Sequence, residues 1–281
     1  MNVIPRGNTK KIAIKLIILF VIIVITAFFI IPLFWLFLTA FKQRSEAFSL
    51  PPSIIFSPTL DNFKFIFMTQ RYSHFLINSL VVVIFSTAIS LTLGSLAAYG
   101  LARFKIPKAK DISFWILSMR MLPPIAVVIP FFLMMRRFGL LDTRLSLIIL
   151  YPVFNFPIVV WMMRVFFNDI PSEIEESAMV DGCSRMGAFL RITLPLAAPG
   201  LAASAILCFI MSWNEFLFSL ILTGLRSRTL PVATIGLQTN RAILWGPLCG
   251  AAIIIILPVL IFVILMQKHL VRGLTFGIVK G

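Results

Sequence analysis

Long apolar segments alternate with short polar segments along this chain of 281 residues. The first apolar segment, Leu16–Phe41, runs for 26 residues without a charged side chain. A helix of about 20 apolar residues crosses the hydrocarbon core of a bilayer, and five later segments meet or approach that length. None of these segments has the apolar–polar alternation of membrane strands. The pattern therefore predicts an all-α, polytopic membrane protein that forms a single transmembrane domain over residues 1–281. The six predicted spans lie at residues 16–41, 75–102, 112–135, 145–163, 200–222 and 246–267.

Composition agrees with this pattern. Hydrophobic residues make up 60% of the chain, charged residues make up 12%, and the mean hydropathy is +1.03. A soluble domain is about 45–50% apolar and about 25% charged. Apolar side chains that face lipid explain the excess, so a sizeable soluble domain is not expected.

The distribution of Lys and Arg predicts the topology. Six spans put both termini on one side of the membrane, where the chain then carries 14 basic residues against 10 on the other side. The basic residues are densest in the N-terminal tail and in the segment RFKIPKAK, residues 103–110. The positive-inside rule then places the N- and C-termini, together with residues 169–195, in the cytoplasm. The expected location is the cell (inner) membrane.

The net charge of +15 raises the question of a nucleic-acid partner. The basic residues are scattered through short loops, which favours topology and anionic lipid over nucleic acid. Cys183, Cys208 and Cys249 have no paired spacing, so neither a disulfide framework nor a thiolate metal site is predicted. His74 and His269 belong to no metal-ligand or nucleophile–base pattern, so an enzyme is not expected.

The polar segment 169–195 holds five of the ten acidic residues. Ser172 and Glu175 have the spacing of a capping box at the start of a helix, and Gly182 can adopt the left-handed conformation that ends one. A second short helix is predicted from about Ser184 to Arg191, which Pro195 and Pro199 then stop. Such a loop is either a solvated face or a surface presented to a soluble partner.

A motif within this loop distinguishes the two interpretations. The sequence has Glu176-Ser177-Ala178, then Gly182, then Ile192 and Leu194-Pro195. This resembles the EAA loop in the membrane subunits of ATP-binding-cassette (ABC) importers, with Ser177 in place of the usual Ala. The chain is similar from end to end to the six-span partner among maltose-type carbohydrate permeases, in segments that include AAYGLARF (97–104), GLLDT (139–143), SWNEFLF (212–218) and RTLPVA (228–233).

The resemblance implies that the loop is a coupling helix that docks on a cytoplasmic ATPase. The residues that would couple to the ATPase are Glu176, Ser177, Ala178, Asp181, Gly182, Ile192 and Pro195. The chain has no Walker-type phosphate loop, so no cofactor is expected in it, and ATP and Mg would bind to the partner ATPase. The expected partners are a second permease that completes a heterodimer, an ATPase dimer, an extracytoplasmic solute-binding protein and a sugar or polyol. The basic tail, residues 268–281, would either contact the ATPase or lie beside anionic lipid.

Ionisable residues inside spans are costly and invite a functional hypothesis. Arg120 and Glu215 are two such residues, and Trp213 and Asn214 precede the second of them. These four residues are candidates for the substrate path, with a possible ion pair between Arg120 and Glu215. The alternative is that Trp213 anchors the span at the interface and that Asn214 and Glu215 hold helices together. Other functions left open are transport of another solute such as glycerol phosphate, a non-transporting scaffold and an intramembrane enzyme.

Overall fold

The computed structural model describes residues 7–47, 49, 53–238 and 243–275, and within these ranges the chain is helical and forms no strand. The α-helices are, in chain order, α1 (Gly7–Ala40), α2 (Arg44–Ala47), α3 (Asp61–Lys64), α4 (Tyr72–Arg103), α5 (Ala109–Ser118), α6 (Pro124–Arg137), α7 (Arg144–Asp169), α8 (Ser172–Val180), α9 (Arg185–Ala188), α10 (Leu194–Leu196), α11 (Ala198–Trp213), α12 (Leu217–Leu222), α13 (Leu230–Ala233) and α14 (Trp245–Thr275). Short 3₁₀ turns lie at Met119–Met121 and Thr234–Leu237, and π-helical turns at Phe65–Thr69 and Phe189–Thr193.

Among the described residues, four helices are long and apolar enough to cross a bilayer, and they lie within α1, α4, α7 and α14. Two further pairs of helices pass the same test but are bent, by 89° between α5 and α6 and by 77° at the start of α11. Counting each bent pair as one span gives the six that were predicted, which confirms the all-α membrane fold. The predicted tail contact falls outside the described residues, because the side chains of residues 267–281 are not described.

Two spans differ in detail from their predicted form. The third span, predicted over 112–135 with a bend at its prolines, is fully broken at Leu122 and Pro123, whose extended backbones separate α5 from α6. Proline has no N–H to donate and forces the preceding residue out of the helical conformation, which accounts for the break at Pro123-Pro124. The fifth span, predicted over 200–222, ends its helix at Trp213 and resumes at Leu217.

The described residues divide into two compact units. The first comprises residues up to 70 together with 237–254. In this unit the Asn62 side-chain amide donates to the carbonyl oxygens of Ala40, at 2.9 Å, and Lys42, at 2.8 Å. These bonds fasten the segment after α1 to the end of that helix. The α1 side chains between Leu16 and Ile25 are exposed, as a lipid-facing helix requires.

The described part of the second unit comprises residues 71–236 and 255–275. Its framework is the pairing of α4 with α7, which run parallel to each other, from Asn78 beside Arg144 to Tyr99 beside Phe167. Helix α11 also packs against this pair. Gly94 of α4 allows this approach, because a Cβ there would lie 2.6 Å from Cβ of Val159 on α7. Toward the end of this pair that faces α8, a buried cluster, here called the Tyr99 cluster, contains Ala98, Tyr99, Val159, Met163, Phe167, Phe189, Ala197 and Cys208. A second buried cluster contains Val82, Val128, Met135, Leu147, Leu150, Tyr151, Phe218 and Leu222.

Candidate functional site

The helix α8 is a short, well-terminated element between two membrane segments. It begins after Pro171 and ends before Gly182, whose φ of +92° lies in the left-handed region. The Gly182 N–H donates to Met179 O at 3.1 Å and the Cys183 N–H donates to Ala178 O at 3.0 Å. These two bonds form a Schellman motif, which satisfies the last carbonyls of the helix. The prediction that Gly182 ends this helix is confirmed.

The surface of α8 mixes polar and apolar groups. Of the residues predicted to couple to an ATPase, Glu176, Ser177, Asp181 and Gly182 are exposed and Ala178 is half-buried. Beside them Val180 is 87% exposed.

The segment after α8 is one helical run, Arg185–Leu196. The Ser184 hydroxyl caps it by accepting from the Gly187 N–H at 3.1 Å. Ile192 is half-buried in this run and Pro195 is exposed near its end. Pro195 and Pro199 were predicted to stop this run, and it ends between them at Leu196, where the chain turns at Ala197. Proline is tolerated here because it lies at the first turn of α10.

Glu175 was predicted to complete a capping box with Ser172, and this prediction is wrong. The Glu175 side chain turns inward and the residue is only 4% exposed. Its Oε2 accepts from the Tyr99 hydroxyl at 2.8 Å and its Oε1 accepts from Arg103 Nε at 2.7 Å. Arg103 Nη2 also donates to Ile170 O at 2.8 Å. The spacing of Ser172 and Glu175 suits a capping box. The Glu175 carboxylate instead bonds to Tyr99 and Arg103 of α4, because a charged donor stabilises it more than a backbone N–H does.

Burial of Glu175 opposes its ionisation, yet the hydrogen bonds from Arg103 and Tyr99 outweigh this effect and hold the pKa of the carboxyl below its ordinary value. Glu175 and Arg103 therefore form a buried ion pair, with side chains 5% and 9% exposed. Sequence reasoning missed this pair. The available signal was the Tyr99–Arg103 spacing of four residues, which puts both side chains on one face of α4.

A cavity of about 570 Å³ lies where two of the helices are broken. Its lining residues are Arg120, Leu122, Pro124, Ile125, Tyr151, Phe154, Asn155, Met211, Ser212, Asn214, Glu215, Phe216, Leu217 and Phe218. Three of the four residues predicted for a substrate path, Arg120, Asn214 and Glu215, thus line one cavity. Tyr151 and Asn155 were not predicted to line a site, because each stands among apolar neighbours in α7 and belongs to no motif.

Glu215 holds the break between α11 and α12. Its Oε1 accepts from the Phe218 N–H at 2.8 Å, and its Oε2 accepts from the Ser219 N–H at 3.1 Å and from the Tyr151 hydroxyl at 2.9 Å. The carboxylate thereby satisfies N–H groups at the start of α12 that have no partner within the helix. This geometry supports the helix-holding role that was weighed for Glu215.

Arg120 bonds to neighbouring backbone and sulfur. Its Nη1 donates to Phe154 O at 2.8 Å and its Nη2 donates to Met211 Sδ at 3.1 Å. Within the described part of the chain, Arg120 and Glu215 share a cavity wall but form no ion pair. Asn214 is exposed, and its amide donates to Ile210 O at 2.9 Å.

Trp213 is buried in the second unit, away from the cavity lining. It is 1% exposed, its ring stacks on Phe209 at 5.8 Å with an interplanar angle of 7°, and its Nε1 donates to Ile255 O at 3.1 Å. Neither a sugar-stacking surface nor an interface anchor, the two interpretations considered from the sequence, matches this position. The large Trp213 ring fills space in the core, and its indole N–H bonds the backbone of α14, so the residue joins α11 to α14.

The loop that follows α12 is held by the side chains of Asp142 and Asn78, here together called the polar lock. Asp142, with φ +53°, accepts through Oδ1 from the Gly224 N–H at 2.8 Å, the Ser227 N–H at 3.0 Å and the Ser227 hydroxyl at 2.9 Å. Burial opposes ionisation of this carboxyl, but the bonds from Ser227 and Gly224 lower its pKa below the ordinary value.

Asn78 of α4 donates to Arg226 O at 3.1 Å and Arg228 O at 2.9 Å. The segment GLLDT was noticed in the sequence, but the contact of its Asp142 with residues 224–227, which directly precede RTLPVA, was not predicted.

Comparisons with known proteins give the family. A family model described as "Binding-protein-dependent transport system inner membrane component" matches residues 90–276. The chain is 37% identical to "Probable ABC transporter permease protein y4oR" of Sinorhizobium fredii, over 98% of this chain and 99% of that protein. It is 36% identical to "Trehalose transport system permease protein SugB" of Mycobacterium tuberculosis, over 92% of this chain and 94% of that protein.

A solved structure has the same fold. A chain from a bacterial ABC transporter involved in the import of the acidic polysaccharide alginate superposes with a TM-score of 0.73. The two chains are 22% identical, and the match covers 95% of this chain and 99% of that one. The chain belongs to the family of binding-protein-dependent transport system inner membrane components, and it is a permease subunit of an ABC importer.

Proposed function

We propose that this permease subunit imports sugars: mono- or oligosaccharides, or polyols. Four relatives that are 32–36% identical are named for the transport of trehalose, of trehalose and maltose, of diacetylchitobiose and of sulfoquinovosyl glycerol. These solutes differ in size and charge but share a polyhydroxylated ring. A common cargo class among relatives that match about nine-tenths of the chain supports the same class here.

The coupling to ATP is assigned to α8. Its exposed groups Glu176, Ser177 and Asp181, with the half-buried Ala178, lie beside the exposed apolar Val180. Gly182 ends the helix sharply, and Ile192 and Pro195 belong to the run that leads into α11. A short, rigid element between two membrane segments is suited to pass a rigid-body motion from a docked motor to the helices. This arrangement is the observation on which the proposal depends.

The rest of the machine would be supplied by other chains. ATP and Mg bind to an ATPase dimer that docks on α8, a second permease completes the pathway, and an extracytoplasmic binding protein delivers the solute. The chain then has its N- and C-termini and α8 in the cytoplasm. The dense basic segment at residues 103–110, directly after α4, supports this orientation. Cycles of ATP binding and hydrolysis on the partner would switch the helices between inward- and outward-open states.

The cavity is assigned to the solute path. Asn155, Asn214 and Arg120 bring amide and guanidinium groups to its wall, and Phe154 and Phe216 add aromatic surface. Sugar hydroxyls are recognised by such polar groups, while the apolar faces of sugar rings pack on aromatic rings. Breaks in two helices at this point are also typical of solute sites in transporters, since broken helices expose backbone groups to a cavity.

Ligand screening on the cognate binding protein tests the cargo. Trehalose, maltose, diacetylchitobiose and glycerol phosphate are each added to the purified binding protein, and its thermal unfolding is followed. A sugar should raise the Tm, because a ligand that binds only the folded state stabilises it. Stabilisation by glycerol phosphate and by none of the sugars would contradict the proposed cargo.

Charge reversal on α8 tests the coupling. Glu176→Lys in the reconstituted complex should abolish stimulation of ATP hydrolysis by the loaded binding protein, and so should Gly182→Pro, while both variants still insert in the membrane. Asp61→Lys makes the same charge change on an exposed residue outside this loop and serves as the matched control. Normal stimulation in both α8 variants would remove the docking role. Failure of any ATPase to co-purify with the unsubstituted chain would instead favour a non-transporting scaffold.

A further inference from the structure

Three buried side chains, Tyr99, Arg103 and Glu175, join α8 to the membrane helices. We propose that this polar clamp is the positioning device that makes α8 move as one body with α4 and α7. The inference rests on the proposed docking of an ATPase on α8, and it adds the route by which a displacement of α8 reaches the bundle. None of the three residues needs to touch the ATPase or the solute.

Adjacent acids on α8 have opposite orientations. Glu176 is exposed, whereas Glu175 is 4% exposed and points back at α4. Each Glu175 oxygen has its own donor, the Tyr99 hydroxyl at 2.8 Å and Arg103 Nε at 2.7 Å. Two donors one turn apart on α4 fix the carboxylate against both rotation and sliding along that helix.

Arg103 brings a third helix into the clamp. While Nε bonds Glu175, Nη2 donates to the carbonyl oxygen of Ile170 at 2.8 Å. Ile170 directly follows the last residue of α7. One planar guanidinium therefore ties the ends of α4 and α7 to α8, in a geometry that a Lys side chain cannot reproduce.

The Tyr99 ring fastens the other limb of the loop. It lies 4.5 Å from the ring of Phe189, which belongs to the run after α8, and 5.9 Å from the ring of Phe167 on α7. Tyr99 thus contacts the helix before Gly182 through its hydroxyl and the helix after it through its ring. The exposed surface between these two limbs is held from both sides.

The chemistry of the clamp favours positioning over stability alone. A buried ion pair gains little over apolar side chains of the same volume, because its desolvation cancels much of the attraction. What a hydrogen-bonded ion pair adds is a single permitted arrangement of its partners. Apolar contacts alone would let α8 slide or roll when the motor acts on it.

A distance measurement tests the clamp. Nitroxide labels are placed at Ile174 on α8 and Val165 on α7, both exposed, in the full transporter complex with Cys183, Cys208 and Cys249 replaced by alanine. Pulsed electron spin resonance then gives the label-to-label distribution without nucleotide and with ATP plus vanadate. The unsubstituted clamp should give one narrow distribution that is the same in both states. Glu175→Gln should broaden it or shift it between the states, and should reduce stimulation of ATP hydrolysis by the binding protein by about fivefold or more.

Two further variants make the result decisive. Glu173→Gln makes the same change at an exposed position of α8 and should leave the distribution narrow. Tyr99→Phe removes one hydroxyl and keeps the ring, so it should broaden the distribution even if Glu175→Gln fails to assemble. Distributions in Glu175→Gln and Tyr99→Phe that match the unsubstituted protein in both states would overturn the proposal. Failure of the docking role itself would appear separately, as unchanged co-purification of the ATPase with the Glu176→Lys variant.

Discussion

Replacing Gly94 by alanine should destabilise the protein although alanine is the better helix former. A Cβ at this position would lie 2.6 Å from both Cβ and Cγ1 of Val159. Val159 is fully buried, and its Cβ belongs to the rigid base of the side chain. The helices α4 and α7 must therefore separate or shift to admit the methyl group.

The expected magnitude follows from two opposing terms. Overpacking a dense core costs about 1–3 kcal/mol, and an overlap of nearly 1 Å with a branched Cβ belongs at the upper end of this range. Alanine recovers about 1 kcal/mol of helix propensity. The net loss is about 2 kcal/mol, which lowers the Tm of a chain of this size by about 4–8 °C.

Gly100 provides a matched control on the same helix. A Cβ there meets nothing within 4 Å, so Gly100→Ala should keep only the propensity gain and raise the Tm slightly. A second control moves the small residue to the other helix. Gly94→Ala combined with Val159→Gly should be more stable than the sum of the two single changes predicts, by about 1 kcal/mol or more.

Cys208 supplies the assay. It is fully buried and belongs to the Tyr99 cluster with Val159, so its thiol reacts with a fluorescent dye only when this region opens. Heating detergent-solubilised protein with Cys183 and Cys249 replaced by alanine gives an apparent Tm from that reaction. Equal or higher stability of Gly94→Ala relative to Gly100→Ala would refute the close approach of α4 and α7.

Three further predictions use the same thermal assay. Because the pKa of Glu175 is lowered in the folded state, its contribution to stability is present above the ordinary carboxyl pKa and is lost as the pH falls through the lowered value. On acidification the Tm of Glu175→Gln should therefore fall less than the Tm of the unsubstituted protein. Parallel curves of Tm against pH for the two proteins would contradict this. Asp142→Ala removes an acceptor of three hydrogen bonds and puts a poor residue at positive φ, so it should cost about 2–3 kcal/mol. Asp142→Asn should cost clearly less, and equal losses would argue against the lock. Tyr151→Phe removes one bond to Glu215 and should cost about 1 kcal/mol, whereas no change in Tm would show that Glu215 holds α12 without it.

The membrane spans were readable from sequence because the bilayer imposes a length on every apolar segment. Uncharged stretches such as Leu16–Phe41 need no partner to be recognised. The end of α8 was also readable, since the conformation of Gly182 is a local property. The break after Trp213 was not, because residues 214–216 contain neither proline nor glycine. That break depends on the Glu215 carboxylate and its partner Tyr151, 64 positions away.

The polar partners were the least predictable part of the site. Glu175 fits a local capping pattern, but its actual partners lie 76 and 72 positions earlier on α4. Arg120 and Glu215 were correctly singled out as unusual inside spans, yet the cavity they share also depends on where α5 and α6 part. Trp213 looked accessible beside polar neighbours, and only the packing of α11 on α14 buries it. Side-chain direction at these positions is decided by helices distant in sequence.

The corner at Ala197 has a mechanical consequence. There the run Arg185–Leu196 meets α11 at 77°, and Ala197 itself is 1% exposed and packed within the Tyr99 cluster. At 1.5 Å per residue the two arms are about 18 Å and 24 Å long. Because this corner is tightly packed, the two arms should move as one rigid piece. A tilt of about 10° of the whole piece displaces its two tips by about 3 Å and 4 Å, in directions nearly at right angles. A push across the first arm would thus move the tip of α11 across its own axis, in a direction nearly parallel to the first arm.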